Sequence, residues 1–291
     1  MEYSKIERKC PAKINLFLKI LGKRADNYHN LYSLMAFIGL YDELSVAKSD
    51  NFSLKINGQF SDEVDEKNNL LTQILDFFVK EFKISNNLEI KLQKNIPVGA
   101  GLGGGSSNAC CFIDALNIIF NLKLNKEDLI KISLKFGSDI PFFFSDQASI
   151  IKGRGEIIEK FPYFEDLPIL LINPKINLST AKIFNLIKQD NSSDENALKS
   201  IIANKEFYQI IKQIENDLTL PAISICPEIK EIIEELKNLK PLVARMSGSG
   251  STCFAIFKNE EELKKSYDYF YKKFNDYFII QTRMRYKNYS R

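Results

Sequence analysis

The feature that most constrains this chain is a glycine run set between a strand pattern and a helix pattern. Five of the 13 glycines fall within seven residues of Pro97-Val98-Gly99-Ala100-Gly101-Leu102-Gly103-Gly104-Gly105-Ser106-Ser107-Asn108. Glycine loses more conformational entropy on ordering than any other residue, so a cluster in ordered backbone implies a use. Before it, residues 88–96 alternate polar and apolar as a half-buried strand does, and Pro97 ends that pattern. After it, the pattern predicts a helix from about Ser106 to Phe120. A flexible glycine-serine linker is the plain alternative, yet this run joins two strong elements inside one domain. Backbone N–H groups gathered at a helix N-terminus form a ready anion site, so the loop is expected to bind phosphate. Ser106 and Ser107 are expected to cap the helix, with hydroxyls that also reach phosphate or a magnesium ion. The loop is not a Walker A motif, because no Gly-Lys-Ser/Thr closes it. A G-x-G-x-x-G spacing does run from Gly99 to Gly104, but no N-terminal strand opens a βαβ unit there.

The rest of the chain alternates strand and helix patterns. A length of 291 residues predicts about two domains and is enough to bury a core without disulfides or metals. Residues 13–20 read as a strand, 31–40 as either strand or helix, and 42–57 as two short strands around a turn at Ser49–Asn51. Residues 69–83 carry Leu71, Ile74, Leu75, Phe78 and Phe82 on one helical stripe, and 124–136 read as another helix. Strands are expected at 142–152 and 156–161, around Gly153-Arg154-Gly155. Composition shifts near Phe161–Leu167, which sets a boundary between domains 1–160 and 161–291. Beyond it, strands are expected at 168–173, 242–246, 252–257 and 277–283. Helices are expected at 179–189, 197–215, 227–239 and 260–273. Both halves mix the two patterns, which points to an α+β fold rather than a doubly wound parallel sheet.

Composition excludes several classes. Hydrophobic residues at 45% and charged residues at 26% describe an ordinary globular chain. The net charge of +3, from 40 basic and 37 acidic residues, is too balanced for a nucleic-acid partner. The basic tail Arg283, Arg285, Lys287, Arg291 reads as a solvated terminus. Five cysteines, at 10, 110, 111, 226 and 253, show no C-x-x-C spacing, which argues for a reducing compartment and against structural zinc. The single histidine, His29, excludes zinc sites that need two histidines and confines any Ser-His-Asp triad to itself. No secretory leader pattern and no run of about 18 apolar residues is present, so a cytoplasmic protein with no membrane partner is expected.

The loop PVGAGLGGGSSNA resembles the ATP-binding motif of the GHMP small-molecule kinases. Four further segments stand in the family's order: Pro11-Ala12-Lys13-Ile14-Asn15-Leu16, Asp26-Asn27-Tyr28-His29, Gly137-Ser138-Asp139-Ile140-Pro141-Phe142-Phe143 and Met246-Ser247-Gly248-Ser249-Gly250. Together they resemble the branch that acts on a cytidine diphosphate conjugate of methylerythritol. Ala100 and Asn27 stand where that branch has glycine, Ser138 where it has alanine, and Ser249 where it has threonine. Cys110 and Cys111 stand where small residues are expected. Asn tolerates the left-handed region that a glycine would adopt.

The resemblance implies a two-domain GHMP kinase fold with the active site in the interdomain cleft. It also implies ATP as phosphoryl donor, magnesium with the nucleotide, and phosphorylation of the substrate's 2-hydroxyl in the non-mevalonate route to isoprenoid precursors. No metal ligands or oligomeric state follow from it. Asp139 becomes the catalytic base and Lys13 its partner, with the assignment of the transferred proton between them open. A carboxylate beside the apolar run 140–144 is in any case costly to bury unpaired. The ATP site comprises Pro97, Val98, Gly99, Ala100, Gly101, Leu102, Gly103, Gly104, Gly105, Ser106 and Ser107, with Asn69 and Lys94 on the adenine side. Surface roles stay open for those last two. Asn15 faces the same side of its strand as Lys13 and is assigned to substrate. Tyr28 is assigned to stacking on the base, His29 to its polar edge, and Thr180 to substrate phosphate. Phe184 is either a second stacking ring or a core residue. The loop at Gly248-Ser249-Gly250, by itself a plain hairpin turn, is expected to close over the site. A kinase of homoserine or mevalonate is the sibling reading, and a catalytically silent nucleotide-binding sensor is the reading from another class. Tyr28-His29 counts against the sibling, and the presence of Lys13 and Asp139 against the sensor.

Overall fold

Residues 5–48 form one long antiparallel hairpin, and the rest of the chain is built on it. The computed structural model describes residues 4–66, 69–162, 165–187, 193–285 and 287–288. Residues 163–164 of the expected boundary, 188–189 of the helix expected at 179–189, and Arg291 of the basic tail lie outside them. The order is β1 (Lys5–Lys23), β2 (His29–Lys48), β3 (Ser53–Asn57), α1 (Leu70–Phe82), β4 (Leu88–Gln93), α2 (Gly104–Ile119), α3 (Lys126–Ser133), β5 (Ser149–Gly153), β6 (Ile157–Lys160) and β7 (Pro168–Asn173). It continues through α4 (Thr180–Asn185), α5 (Glu195–Asn204), α6 (Phe207–Gln213), α7 (Thr219–Ile225), α8 (Glu228–Asn238), β8 (Val243–Met246), β9 (Cys253–Ile256), α9 (Glu260–Lys273) and β10 (Phe278–Arg285).

Residues 31–40, ambiguous between strand and helix, lie in β2. Their apolar run suits a strand covered on both faces, and Tyr32 through Ile38 are buried without a break. One edge of β2 pairs with β1 from end to end. The other edge serves β5 at Leu31–Met35, β10 at Phe37–Ile38 and β4 at Glu43–Lys48. β10 also pairs with β7, so the sheet order β3-β4-β2-β10-β7-β9-β8 runs through both halves of the chain. Only β3 and β4 among these pairs run parallel, which fits an α+β fold. The pairing of β1 shifts register at Pro11/Lys13 and again at Asn15/Phe17. Such bulges kink a strand and re-aim its side chains, and Lys13 and Asn15 sit between them.

Three apolar clusters hold the layers together. One joins α1, α2 and α3 to β2 and β4, with Phe37 and Phe142 stacked at 4.5 Å. A second lies under the hairpin and the glycine loop, where Ile14, Ile96 and Leu102 meet Ile169 and Phe254. The third packs α8 and α9 on β7 and β9. Each buried aromatic or branched side chain contributes about 1.5–3 kcal/mol. Arg245 is buried as well, and burial pulls its guanidinium down to about 10. It donates to the carbonyls of Leu16 and Ile214 and to that of Ile211, pinning the end of α6 to β1.

The structure corrects four local expectations. Residues 142–144, expected to open a strand over 142–152, lie instead in a 3-10 turn over Ile140–Phe144 that Pro141 suits at its start, and β5 begins at Ser149. The helix expected over 197–215 is two helices, broken where Lys205 and Glu206 turn extended. α7 was not foreseen, since Pro221 interrupts its pattern while standing in its first turn, where proline is tolerated. Finally, α2 begins at Gly104, so Ser106 and Ser107 lie inside it and do not cap it. All five cysteines are buried and free. Among the described residues no helix is long and apolar enough to cross a membrane.

Candidate active site

The glycine loop is held from both sides. Leu102 O accepts from the backbone N–H of Lys13, Ala100 O from that of Thr252, and Gly101 O from the Ser247 hydroxyl at 2.9 Å. Gly101 adopts φ 74°, and a Cβ there would stand 2.2 Å from Ser247 O. Gly103, at φ 69°, is the N-cap of α2 and offers no side-chain cap. The first N–H groups of α2 have no intrahelical partner by helix geometry, and Gly104, Gly105 and Ser106 line a cavity. Gly105 has open space around its Cβ position, with only Leu70 Cδ1 near, at 3.9 Å. The Ser107 hydroxyl is buried without a hydrogen-bond partner.

Beside the loop, Lys13 is nearly inaccessible. Its Nζ donates to Asn15 Oδ1 at 2.6 Å and to Gly101 O at 3.2 Å, and stands 3.4 Å from Asp139 Oδ2. Asp139 follows α3 and leads into the 3-10 turn, its side chain 40% exposed toward the cavity. The Asn15 amide donates to the Ser33 hydroxyl at 2.8 Å, which fixes the orientation of its oxygen toward Lys13. Gly248 of the β8–β9 turn reaches the same cluster. Asn216 holds that turn by donating to Met246 O and to Gly248 O at 3.0 and 2.8 Å.

The far end of the cavity is aromatic. The β1–β2 turn carries Tyr28, His29 opens β2 directly after it, and Asn27 in the turn adopts φ 66°, the left-handed conformation its side chain tolerates. Tyr28 is half exposed, with the Arg154 guanidinium 5.1 Å from its ring centroid. His29 faces Phe184 of α4, ring centroids 5.4 Å apart. Phe184 therefore lines the cavity while also packing on the third core cluster. Burial, with Lys23 nearby, holds the His29 imidazole below the ordinary histidine range. The Thr180 and Ser249 hydroxyls lie 3.0 Å apart between this end and the loop.

Lys94 and Asn69, the two residues expected on the adenine side, both line the cavity. Lys94 is buried, its Nζ on Asp42 Oδ2 and on Ile96 O, each at 2.7 Å. Asn69 lines the cavity but its side chain caps α1, accepting from the N–H groups of Leu71 and Thr72 and donating to Asp65 O and Glu66 O. The sequence reading missed Asp42, Arg154 and Asn216. Asp42 carried no signal, since its partners lie far along the chain. Arg154 had a weak one, a charged residue between two glycines at a turn.

All of this surrounds one cavity of about 1090 Å³, which brings together Lys13, Asn15, Asp139, the loop, Tyr28, His29, Thr180 and Phe184. Its size is just above the roughly 300–1,000 Å³ usual for small-molecule sites. Loop backbone with free N–H groups, flat rings and a lysine–carboxylate pair all line it, and the pair meets the loop at Gly101 O. That combination suits transfer of an anionic group to an alcohol held by an aromatic anchor.

The model for the N-terminal domain of GHMP kinases matches residues 69–152, and that for their C-terminal domain matches 197–276. A 4-diphosphocytidyl-2-C-methyl-D-erythritol kinase of Chelativorans sp. is 34% identical over 97% of both chains. One from Prochlorococcus marinus (strain AS9601) is 37% identical over 90% of this chain and 88% of its own. A crystal structure of 4-(cytidine 5'-diphospho)-2C-methyl-D-erythritol kinase matches with a TM-score of 0.75 at 25% identity, covering 96% of this chain and 99% of that one. Homoserine kinase from Cytophaga hutchinsonii shares the fold, with a TM-score of 0.75 at 16% identity over 99% of this chain and 97% of its own.

Proposed function

The chain belongs to the 4-diphosphocytidyl-2-C-methyl-D-erythritol kinase family of the GHMP kinases, and we propose that the cavity is where ATP phosphorylates the 2-hydroxyl of that cytidyl substrate. The reaction is a step of the non-mevalonate route to isoprenoid precursors. The observation that carries the proposal is the Lys13–Asp139 pair, 3.4 Å apart in the one cavity that the glycine loop and the Tyr28, His29 and Phe184 rings also line.

In this reading residues 97–107 surround the triphosphate, and the free N–H groups of Gly104, Gly105 and Ser106 at the start of α2 hold it. Tyr28 and Phe184 stack on cytosine, and His29 meets its polar edge. Thr180 and Asn15 hold the diphosphate-methylerythritol portion. The substrate hydroxyl oxygen attacks the γ-phosphorus, the bond to the β,γ-bridging oxygen breaks, and ADP leaves. Asp139 accepts the hydroxyl proton, and Lys13 stabilises charge on the reacting oxygens. Magnesium enters with the nucleotide, as part of that substrate, and phosphate oxygens are its natural hard ligands. Lys94 acts beneath the loop, and Asn69 bounds the adenine side as the cap of α1. The division into a nucleotide domain over 1–160 and a second domain over 161–291 is part of the same reading. So is a cytoplasmic location, which five free buried cysteines favour.

The test is ADP release with a panel of alcohols: the diphosphocytidyl substrate, homoserine and mevalonate. Turnover with the first alone, with the new phosphate on the 2-oxygen by phosphorus NMR, is expected. Turnover with either of the other two in preference would refute the substrate assignment.

A further inference from the structure

Asp42 is the most completely engaged carboxylate described in the molecule. It is inaccessible to solvent and stands in β2, outside the cavity lining. Its Oδ1 accepts the backbone N–H of Asn95 at 2.7 Å and of Ile96 at 2.8 Å. Its Oδ2 accepts Lys94 Nζ at 2.7 Å and Asn108 Nδ2 at 2.9 Å. Four donors use all the lone-pair sites a carboxylate offers.

These donors flank the glycine loop. Asn95 and Ile96 are its entry, and Asn108 lies in the first turns of α2, its exit. Lys94 closes the base by also donating to Ile96 O at 2.7 Å. The two feet touch, for a Cβ on Gly104 would meet Ile96 Cγ2 at 2.9 Å and Lys94 Nζ at 3.1 Å. The apex is held separately, by Lys13, Ser247 and Thr252. We propose that Asp42 is a positioning residue for nucleotide binding, which ties both ends of the glycine loop to one point in β2. It thereby sets where the free N–H groups of Gly104, Gly105 and Ser106 aim. The inference rests on the loop being the phosphate site, as argued above.

A merely structural tie would lower stability and leave the ratio of ligand affinities alone. A positioning tie weakens ATP selectively. Asn108→Ala cuts the exit and leaves the Asp42–Lys94 pair intact. Asp42→Asn weakens both ends but strands a buried lysine, which is costly to folding. The experiment measures ATP affinity by calorimetry, KM for ATP and for the alcohol, and Tm. Ser133→Ala serves as a control that deletes a buried polar group remote from the loop.

Small displacements of a positioned group can cost up to about a hundredfold, so Asn108→Ala is expected to weaken ATP binding about tenfold. KM for the alcohol should stay within about twofold of the unmodified enzyme, and Ser133→Ala should leave both affinities unchanged. Asp42→Asn, where it folds, should weaken ATP further; where it does not fold, Asn108→Ala decides. Unchanged ATP affinity in folded Asn108→Ala, or equal losses for ATP and alcohol, overturns the tether alone. Failure of the unmodified protein to bind ATP overturns the phosphate-loop reading and the tether with it.

Discussion

The Lys13 ammonium stands 3.4 Å from the Asp139 carboxylate, yet the two groups meet solvent unequally, with 3% of the lysine side chain and 40% of the aspartate exposed. Lys13 is fixed by Asn15 and Gly101 O, in a stretch of β1 bounded by two register shifts. Asp139 is open to the cavity. The pair thus combines a cation held by two hydrogen bonds with a carboxylate open to the cavity, the asymmetry that the proposed phosphoryl transfer would use.

Replacing Asp139 with Asn should keep the shape and remove the acceptor. Turnover should fall by about 10²–10⁴-fold, the usual contribution of a general base, with ATP affinity little changed. Near-normal kcat in steady-state assays would remove Asp139 from the role of base. Its survival alongside a large loss in Lys13→Met would transfer that role to the lysine.

Gly105 faces open space on the cavity side of the loop. Nothing but Leu70 stands within 4 Å of its Cβ position, whereas a Cβ on Gly103 would meet Phe143 Cζ at 2.9 Å and Lys13 Cγ at 3.0 Å. Gly105→Val should therefore keep Tm within a few degrees while abolishing measurable ATP binding, because the side chain fills the space expected for phosphate. Gly103→Val should damage folding and displace Lys13. Calorimetry with scanning fluorimetry reads the difference; intact ATP binding in Gly105→Val would place the phosphates elsewhere.

Tyr28 should matter to the alcohol and not to ATP. Stacking on a base is worth about 1–3 kcal/mol, so Tyr28→Ala should lower kcat/KM for the cytidyl substrate by roughly one to two orders of magnitude, at 1.4 kcal/mol per tenfold. Phe184→Ala should behave similarly if its ring joins the stack, and should cost mainly Tm if its core contacts dominate. Paired measurements of kcat/KM and Tm separate the two outcomes.

Because His29 is the only histidine, its titration can be followed as one set of imidazole signals by NMR. Burial, then Lys23, lowers its affinity for a proton. The native midpoint should lie below the ordinary value of about 6.5. The unfolded chain then binds the extra proton first, so the stability this residue supplies is present above about 6.5 and fades as pH falls through the native midpoint. KM for the cytidyl substrate should rise over the same fall in pH, as the neutral edge is lost. A native midpoint above 6.5 would contradict a partly buried, neutral histidine.

Much of this site was legible in the sequence where chemistry is local. The glycine run, the strand before it and the helix after it required only periodicity and the entropy of glycine. Lys13 and Asn15 shared a strand face by their spacing. What was not legible depends on contacts between distant segments. Nothing about Asp42 predicts that Lys94, Asn95, Ile96 and Asn108 converge on it, and nothing in 214–218 predicts that Asn216 holds Gly248 in place. The helix start slipped from Ser106 to Gly104 because a glycine in the left-handed region serves as N-cap there, against the side-chain preference that favours serine. The long helix expected over 197–215 failed for the converse reason, since its break at Lys205–Glu206 carries neither glycine nor proline.

The central claim is that a remote aromatic end of the cavity positions the alcohol for the Lys13–Asp139 pair, and one comparison tests it most directly. It is kcat/KM of the unmodified enzyme for the diphosphocytidyl substrate against methylerythritol phosphate lacking the cytidyl group. Binding energy from the remote base should be spent on orientation, so its loss should lower kcat as well as raise KM. The account predicts that the truncated alcohol is a very poor substrate on both counts. Equal turnover with and without the cytidyl group would contradict it, leaving the fold and the phosphate loop but not the function assigned to Tyr28, His29 and Phe184.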